Sequence, residues 1–310
     1  MKVLLIGGNG FIGAKLALVL HSKGHQVTVI GRNVNKKPSL SKGIQYFSGD
    51  FGDIDFIAPF VESHDEIVHL AYASVPNTSF ENPLLDLQEN LTPSVQLFLV
   101  TAKLKKKLLL ISSGGTIYGE ASFTPISEVH PKHPISPYGL TKLTLENYAY
   151  LYGRTHGLDF KVIRPANAYG PGQIPFKGQG FIATAIASAK LGKPVNIFGV
   201  NGTVRDYIYI DDLAEAILLC LERGKTGESY NIGTSVGFNN LELINKLNHL
   251  LKKFELPMVS VTHFPGRPFD VKCNILDYAK FNRHTGWKPS ISLDEGLERT
   301  IRENQNNLFN

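Results

Sequence analysis

The first 22 residues contain the feature that most restricts how this chain can fold. An apolar run, Val3 to Ile6, is followed directly by the turn Gly7-Gly8-Asn9-Gly10-Phe11-Ile12-Gly13 and then by an amphipathic segment, Ala14 to Ser22. A continuous apolar run bounded by glycines is typical of a strand buried on both faces of a parallel sheet. The order of strand, glycine turn and helix predicts the start of a strand–helix–strand unit.

The glycines at positions 7, 10 and 13 predict a site for a dinucleotide. Gly7 permits a tight turn, Gly10 lets the backbone approach a pyrophosphate, and Gly13 lets the helix pack closely on the strand. The N-terminus of the helix then faces the anion. We therefore expect the cofactor to be bound by Gly7, Gly10, Phe11, Ile12 and Gly13.

The end of the second predicted strand, Gln26 to Ile30, bears on which dinucleotide binds. An acidic residue there would hydrogen-bond the adenosine ribose of NAD, whereas a nearby arginine accommodates the 2′-phosphate of NADP. The chain has Gly31-Arg32-Asn33 and no carboxylate. Arg32 favours NADP, but an arginine can also stack on adenine or lie in solvent. We predict NAD as the cofactor and leave NADP open because of Arg32.

Apolar strands alternate with helical segments through the first half of the chain. Further strands are predicted at Ile44 to Phe47, Ile67 to Ala71 and Leu108 to Ile111. This rhythm predicts an α/β fold with a doubly wound parallel sheet of the Rossmann type, in which ligands bind at the carboxyl ends of the strands. A second group of cofactor-binding residues is expected there, with Asp50 accepting from the adenine amine: Asp50, Phe51, Leu70, Ala71 and Asn90.

Tyr138 and Lys142 stand one helical turn apart in Tyr138-Gly-Leu-Thr-Lys142. Side chains at i and i+4 project from the same helix face, so a phenol and an ammonium can share one site. A nearby cation lowers the pKa of a phenol, but a base at neutral pH needs a decrease of about 3 units. We therefore expect a partly dehydrated site and a second positive charge, such as an oxidised nicotinamide. The pair predicts an acid–base catalyst.

Composition and charge exclude several classes of protein. The 310 residues have the apolar and charged fractions of a globular protein, and no run is long enough to span a bilayer. Two cysteines, Cys220 and Cys273, argue against a disulfide framework and fit the cytoplasm. The net charge is +5, but the basic residues are dispersed apart from Lys103 to Lys107, which we interpret as a solvated face. We expect no membrane, no nucleic-acid partner and no metal.

Four further motifs follow in order: Arg164 to Gly172, Arg205 to Leu213, Tyr230 to Gly233, and Arg267 to Val271. With the glycine turn and the Tyr138/Lys142 pair, they make the chain resemble the extended short-chain dehydrogenases/reductases over nearly its whole length. The resemblance is strongest to the UDP-glucose 4-epimerase group within the NAD-dependent epimerase/dehydratase family.

The resemblance implies roles for the residues near the end of the strand Leu108 to Ile111. Tyr138 is implied to be the catalytic base, and Lys142 to lower its pKa and hold the nicotinamide ribose. Thr116 is implied to supply the hydroxyl near the sugar 4-oxygen. The serine usual in the family two positions earlier is Gly114 here, which leaves Thr116 or Ser113 as the hydroxyl partner.

The resemblance also implies a site for the substrate. Asn167, Arg205 and Arg267 fall at positions that hold the uridine diphosphate, and Asp270 falls at a ribose-binding position. Guanidinium groups suit a diphosphate. Asn274 falls beside the sugar, where a side chain smaller than tyrosine could admit an N-acetyl group. Structural roles stay open for these residues, including an ion pair between Arg205 and Asp206 or Asp211.

Two lobes are predicted. Residues 1–165 form the dinucleotide-binding domain, with returns near 205–232, and residues 166–310 form a smaller, discontinuous α/β lobe that binds the nucleotide sugar. The resemblance implies a homodimer through two helices of each subunit, in the segments Pro93 to Lys103 and Thr141 to Tyr152.

The predicted function is that of a nucleotide-sugar 4-epimerase acting through a 4-keto intermediate by reversible hydride transfer. The UDP-sugar would be glucose/galactose or an N-acetyl analogue. A 4-ketoreductase that consumes NADPH is the alternative favoured by Arg32, and a non-catalytic dinucleotide-binding regulator is a further one. A 4,6-dehydratase is disfavoured because Ile117 and Tyr118 follow Thr116, where that group commonly has an Asp-Glu pair.

Overall fold

The main sheet places the carboxyl ends of seven parallel strands along one edge. In this computed structural model, which describes residues 1–37, 40, 42–267 and 270–306, the strands lie in the order β10-β6-β5-β4-β1-β2-β3. Their bounds are β1 Lys2–Ile6, β2 Gln26–Gly31, β3 Gln45–Ser48, β4 Glu66–His69, β5 Lys107–Ile111, β6 Asp159–Pro165 and β10 Ser229–Ile232. The order reverses between β1 and β4, and a crevice for ligands is expected at such a point.

Helices cover both faces of this sheet. Alternate residues of β1 explain why: Val3 and Leu5 belong to one core cluster, while Leu4 and Ile6 belong to another on the opposite face. One face is covered by α1 Phe11–Ser22, α8 Ile210–Arg223 and α10 Ala279–Thr285. The other is covered by α2 Ile54–Ser63, α5 Thr92–Lys103 and α6 Pro137–His156. A strand buried on both faces is apolar at every position, which is the pattern of Val3 to Ile6.

A short helical segment connects β4 to α5 and contacts α6. It contains α3 Pro76–Glu81, α4 Pro83–Asp86 and a π-helical turn, Leu87–Leu91, that continues directly into α5. This segment forms one wall of the site described below.

The second lobe has its own small sheets and its own core. In it β9 Val204–Tyr209 pairs with β7 Asn167–Tyr169, β11 Gly237–Phe238 and β13 Cys273–Asn274, and β8 Val195–Phe198 pairs with β12 Val261–Phe264. Its helices are α7 Phe181–Lys190, α9 Asn240–Lys253 and α11 Leu293–Asn306. A third apolar cluster lies among these elements, with Ile186, Leu247 and Leu297 buried in it.

The doubly wound parallel sheet with a smaller C-terminal α/β lobe is confirmed. The chain does return to the first lobe after residue 205, but at α8, which packs beside α1, and at β10, which pairs with β6. The strand β9 lies in the small sheet instead, beside β7 and β13. The exact division of the chain into domains stays a prediction. Among the described residues, no helix has both the length and the apolar character needed to span a membrane.

Candidate active site

The glycine turn between β1 and α1 has the geometry that close packing requires. Gly7 has φ +85°, and a Cβ atom built on it would lie 2.5 Å from the backbone nitrogen of Ala71. A Cβ on Gly13 would lie 2.5 Å from the Cα of Gly8. A Cβ on Gly10 would meet only the Gly7 carbonyl oxygen, at 3.2 Å. Gly7 and Gly13 are therefore required by the fold, while Gly10 leaves open space at the N-terminus of α1.

A cavity of about 600 Å³ lies over this turn, at the carboxyl ends of β1, β2 and β4. Its wall includes seven of the predicted cofactor residues: Gly7, Gly10, Arg32, Asp50, Phe51, Leu70 and Ala71. Phe11 and Ile12 pack against the core of the second lobe instead. The open space above Gly10 and the N-terminus of α1 fit the pyrophosphate of a dinucleotide.

The predicted residue Asn90 lies behind the cavity wall. It is completely buried, its amide oxygen accepts from the Ala73 backbone N–H at 2.7 Å, and its amide nitrogen donates to the Asp86 carbonyl at 2.8 Å. These bonds hold the loop that follows β4. Asn90 thus shapes the wall, and its direct contact with a cofactor stays a prediction.

Arg32 meets a carboxylate that sequence reasoning missed. The Glu89 carboxylate lies 3.3 Å from a guanidinium nitrogen of Arg32, and both residues line the cavity. Glu89 belongs to the π-helical turn, 57 positions from Arg32. The cavity therefore contains an acidic side chain even though the end of β2 has none.

The start of α6 brings Tyr138 and Lys142 to the carboxyl end of β5. Ser136 caps the helix by accepting from the Gly139 backbone N–H at 3.1 Å, and Pro137 occupies its first turn. Tyr138 is 9% exposed and Lys142 is 4% exposed. The Lys142 ammonium donates to the Ile111 carbonyl at 2.9 Å and lies 5.8 Å from the centre of the Tyr138 ring. The two groups share one dehydrated site, as their spacing predicts.

Burial determines the resting protonation of this pair. It raises the pKa of Tyr138 to about 12, although hydrogen bonding to Ser113 and Gln179 acts in the opposite direction. Burial also lowers the pKa of Lys142 to about 7, against the nearby charges of Asp86 and Glu146. Lys142 alone does not make Tyr138 a base at neutral pH. The requirement for a second positive charge near Tyr138 stays a prediction.

The loop after β5 supplies the hydroxyl groups. Ser113 interacts with the Tyr138 phenol. The Thr116 hydroxyl oxygen is buried and has no hydrogen-bond partner among the described residues. A Cβ on Gly114 would overlap the Leu276 side chain and lie 3.0 Å from the Arg164 carbonyl, so this backbone has no room for a serine there. Thr116 and Ser113 are the two hydroxyls predicted to act here, and the Ser112 hydroxyl of the same loop is likewise buried without a hydrogen-bond partner among the described residues.

Three predicted substrate residues lie together in the small sheet. Asn167, Arg205 and Asn274 belong to β7, β9 and β13, which are paired with one another through β9. Asn274 donates to the Gly114 carbonyl at 3.0 Å, and the Asn167 amide oxygen lies 3.4 Å from a Cβ position built on Gly115. The loop that carries Ser113 and Thr116 therefore touches the small sheet directly.

Arg205 is not paired with either carboxylate that was considered for it. Asp206 accepts from Thr234 and from the Leu276 backbone N–H, and Asp211 pairs with Lys15. The guanidinium of Arg205 donates to the Val204 carbonyl at 2.8 Å. The positive charge of Arg205 is thus not neutralised by Asp206 or Asp211.

Arg267 and Asp270 pair with each other. Two guanidinium nitrogens approach the two carboxylate oxygens at 2.8 and 3.1 Å, and the guanidinium stacks 3.9 Å from the centre of the Phe198 ring. Pro268 and Phe269 of the same motif lie outside the described residues. The diphosphate and ribose roles of Arg267 and Asp270 stay predictions.

Asp86 is a buried carboxylate that was not among the predicted site residues. It is 1% exposed and accepts from Thr141 at 2.6 Å, from Ser74 and from the Asn90 amide at 3.3 Å. It joins the loop after β4 to α6, next to Tyr138. Its spacing of four residues from Asn90 is the one local signal that could have identified it.

Comparison with known proteins places this site in a family. A sequence model of the NAD-dependent epimerase/dehydratase family matches residues 3–233. The chain belongs to this family. It is an extended short-chain dehydrogenase/reductase, as its motifs indicated, and the dinucleotide cavity and the Tyr138/Lys142 pair are the features expected of such a protein.

Individual relatives agree over nearly the full length. The UDP-glucose 4-epimerase of Mycolicibacterium smegmatis is 30% identical, with 97% of each chain covered. The structure of UDP-glucose 4-epimerase from Thermotoga maritima with UDP-glucose has a TM-score of 0.92 at 33% identity, covering 99% of this chain and 100% of that one. The Thermus thermophilus UDP-glucose 4-epimerase complex with NAD has a TM-score of 0.90 at 30% identity, covering 98% and 99%. Other relatives are named dTDP-glucose 4,6-dehydratase and dTDP-4-dehydro-6-deoxyglucose reductase. Sequence similarity alone therefore does not identify which reaction this protein catalyses.

Substitutions in the glycine turn should separate folding from binding. Gly7→Ala should lower the free energy of unfolding by roughly 2 kcal/mol or more, because of its positive φ and the clash with Ala71. Gly10→Ala should cost about 1 kcal/mol or less but weaken NAD binding about tenfold or more, because its methyl group enters the space left for a pyrophosphate. Thermal unfolding and calorimetric titration measure the two effects.

Gly24→Ala is the matched control for backbone strain. Gly24 has φ +80° with nothing within 4 Å of a Cβ position, and it lies outside the cavity. It should lose some stability and keep its affinity. A Gly10→Ala protein that binds NAD as tightly as the wild type would contradict the assigned site.

Proposed function

We propose that this protein is a nucleotide-sugar 4-epimerase that acts on UDP-glucose/UDP-galactose or their N-acetyl analogues. The observation that carries the proposal is the position of the Ser113 to Thr116 loop. Tyr138 contacts it from the dinucleotide side through Ser113, and Asn274 contacts it from the second lobe through Gly114. A substrate held in the second lobe then presents a hydroxyl to both Thr116 and Tyr138.

Cofactor binding, proton transfer and hydrogen bonding to the sugar are assigned to different residues. When bound, an oxidised nicotinamide supplies the hydride acceptor and the second positive charge that Tyr138 needs. The Gly7 to Gly13 turn and Lys142 hold it. Tyr138 as phenolate takes the proton of the sugar 4-hydroxyl, leaving a 4-keto sugar, and returns a proton to that oxygen when the other face is reduced. Thr116 donates to the same oxygen, which explains its unpartnered hydroxyl.

Arg205 and Asn167 are proposed to hold the UDP group while the keto sugar turns, with Arg267 and Asp270 exchanging part of their mutual ion pair for the diphosphate and the ribose. The dehydratase reaction is disfavoured because Ile117 and Tyr118 are buried, and the Tyr118 hydroxyl is held by Arg164 at 2.8 Å and by Asn231 at 2.7 Å. Neither residue offers the acid or base that the elimination needs.

We propose NAD rather than NADP as the cofactor. Glu89 supports this, because its carboxylate neutralises Arg32 and lies in the cavity where a 2′-phosphate would add a like charge. An ordinary ribose hydroxyl instead gains an acceptor. The NADPH-dependent ketoreductase remains the second candidate because Arg32 lines the same cavity.

A homodimer in the cytoplasm is the state we propose for the enzyme. Apolar side chains on α5 and α6 are exposed, including Leu99, Leu140 and Leu151, and these two helices contact each other within the subunit. Leu151→Glu should convert the dimer to a monomer in analytical ultracentrifugation. A wild-type protein that sediments as a monomer at micromolar concentrations would exclude this surface as a stable interface.

The reaction can be tested without added cofactor. Purified protein incubated with UDP-glucose or UDP-N-acetylglucosamine should interconvert the 4-epimers, because oxidation and reduction cancel. Tyr138→Phe should reduce turnover by a factor of about 10² to 10⁴ or more and leave UDP binding nearly intact. Tyr150→Phe, on the exposed side of the same helix, is the control and should be fully active. A strict requirement for stoichiometric NADPH would favour the ketoreductase, and an active Tyr138→Phe enzyme would refute the assigned base.

The cofactor choice has its own test. Glu89→Gln should raise the affinity for NADP relative to NAD by about tenfold, because Arg32 loses its counter-charge partner and meets the 2′-phosphate instead. Arg32→Asp should abolish residual NADP binding. Glu62→Gln, an exposed carboxylate on α2, removes one charge outside the cavity and should leave the ratio unchanged. Equal ratios in Glu89→Gln and wild type would show that Glu89 does not select the cofactor.

A further inference from the structure

Tyr72 lies between the two residues to which the chemistry is assigned. The Lys142 ammonium is 3.9 Å from the centre of the Tyr72 ring, and the Tyr138 ring packs edge-on against Tyr72 at a centroid distance of 4.8 Å. Tyr72 belongs to the loop after β4, and it also lines the dinucleotide cavity. Its ring is thus closer to the ammonium than the ring of Tyr138, whose centre is 5.8 Å away.

The Tyr72 ring stabilises the ammonium form of Lys142, which burial disfavours. Desolvation lowers the pKa of Lys142 to about 7, so burial works against its ammonium form. The negative face of an aromatic ring within about 6 Å favours the ammonium, most strongly where water is excluded. The Ile111 carbonyl accepts one ammonium hydrogen, and the Tyr72 face lies against the same group.

Other groups face Lys142 from each surrounding element. Asp86 and Glu146 favour the ammonium from α4 and α6. His69 lies on β4, where burial and, to a lesser extent, the Lys142 charge lower the pKa of the imidazole to about 3. His69 is therefore neutral and adds no repulsion. Tyr72 lies against the ammonium and can be changed without altering a charge.

The hydroxyl of Tyr72 has no part in this contact. It is buried beside Thr141 and Asp86, and both of these groups interact with it. Burial and the Asp86 carboxylate raise the pKa of the phenol far above its ordinary value, so Tyr72 stays neutral and does not compete with Tyr138 as a base. The part of Tyr72 that contacts the Lys142 ammonium is its aromatic ring.

We propose that Tyr72 is a positioning residue whose ring keeps Lys142 protonated and directed at Tyr138 and the bound dinucleotide. This inference rests on the roles proposed above for Tyr138 and Lys142. Tyr72 acts through Lys142 and need not touch the sugar.

The test compares Tyr72→Leu, which removes the ring, with Tyr72→Phe, which keeps the ring and removes only the hydroxyl. The dissociation constant of NADH is measured by fluorescence between pH 6 and 9, on protein freed of bound dinucleotide. Affinity should fall as pH rises through the pKa of Lys142, because the neutral amine holds the ribose less well. Since loss of the ring lowers that pKa, the fall should occur about one pH unit lower in Tyr72→Leu and at the wild-type pH in Tyr72→Phe. The alkaline limb of kcat/KM should move in the same way.

Three results would overturn the proposal: no shift in Tyr72→Leu, an equal shift in Tyr72→Phe, or a uniform loss of affinity without a shift. If Tyr72→Leu does not fold, fluorinated phenylalanines at position 72 keep the ring shape and weaken its negative face, and the shift should grow with each fluorine. A series of fluorinated variants with no change in the shift would also overturn the proposal.

The binding measurement needs no sugar. A protein that shows the shift but epimerises no UDP-sugar would therefore refute the proposed reaction and leave the role of Tyr72 standing.

Discussion

Burial of the parallel sheet on both faces is the constraint on which the rest of this structure depends. Helices occupy both faces, so the edge formed by the strand ends is the place left for ligands. The reversal of strand order between β1 and β4 opens the dinucleotide cavity there, and β5 brings the Ser113 to Thr116 loop to the same edge. The small sheet then closes the far side through Asn274 and Gly114. The Ser113 to Thr116 loop therefore lies between the dinucleotide cavity of the first lobe and the small sheet of the second lobe.

Asp86 connects the cofactor wall to the reacting groups. Its carboxylate accepts from Thr141, the neighbour of Lys142, and also from Ser74 and Asn90 behind the cavity wall. A buried charge of this kind is costly unless its hydrogen bonds are satisfied, so the three donors must stay in place. The negative charge raises the pKa of Lys142, which helps keep the ammonium, but it also raises the pKa of Tyr138. With these neighbours alone, the pKa of Tyr138 lies above its ordinary value.

Sequence patterns predicted the features that depend on residues close together along the chain. Gly7 to Gly13 specify a turn, and the spacing of Tyr138 and Lys142 specifies a shared helix face, so both could be read from the sequence. Glu89, Tyr72 and Asp86 could not, because their importance comes from chain segments that meet only after folding. Arg32 shows the difference well: the residues next to it contain no carboxylate, yet Glu89 reaches it from across the cavity. The direction of the Tyr138 pKa likewise depends on how far burial outweighs the lysine, which spacing does not reveal.

The π-helical turn Leu87–Leu91 gives the cofactor wall a particular sensitivity to chain length. Each residue of a helix rotates its successors by about 100°, and a π-turn accommodates one residue more than an α-helical turn would. Asn90 faces inward toward Asp86 at this turn while its neighbour Glu89 faces the cavity. Loss of a single residue here would allow a regular α-helix but would turn one of these side chains away from its place. A deletion within Leu87–Leu91 would therefore disturb the cavity wall even where every remaining side chain is unchanged.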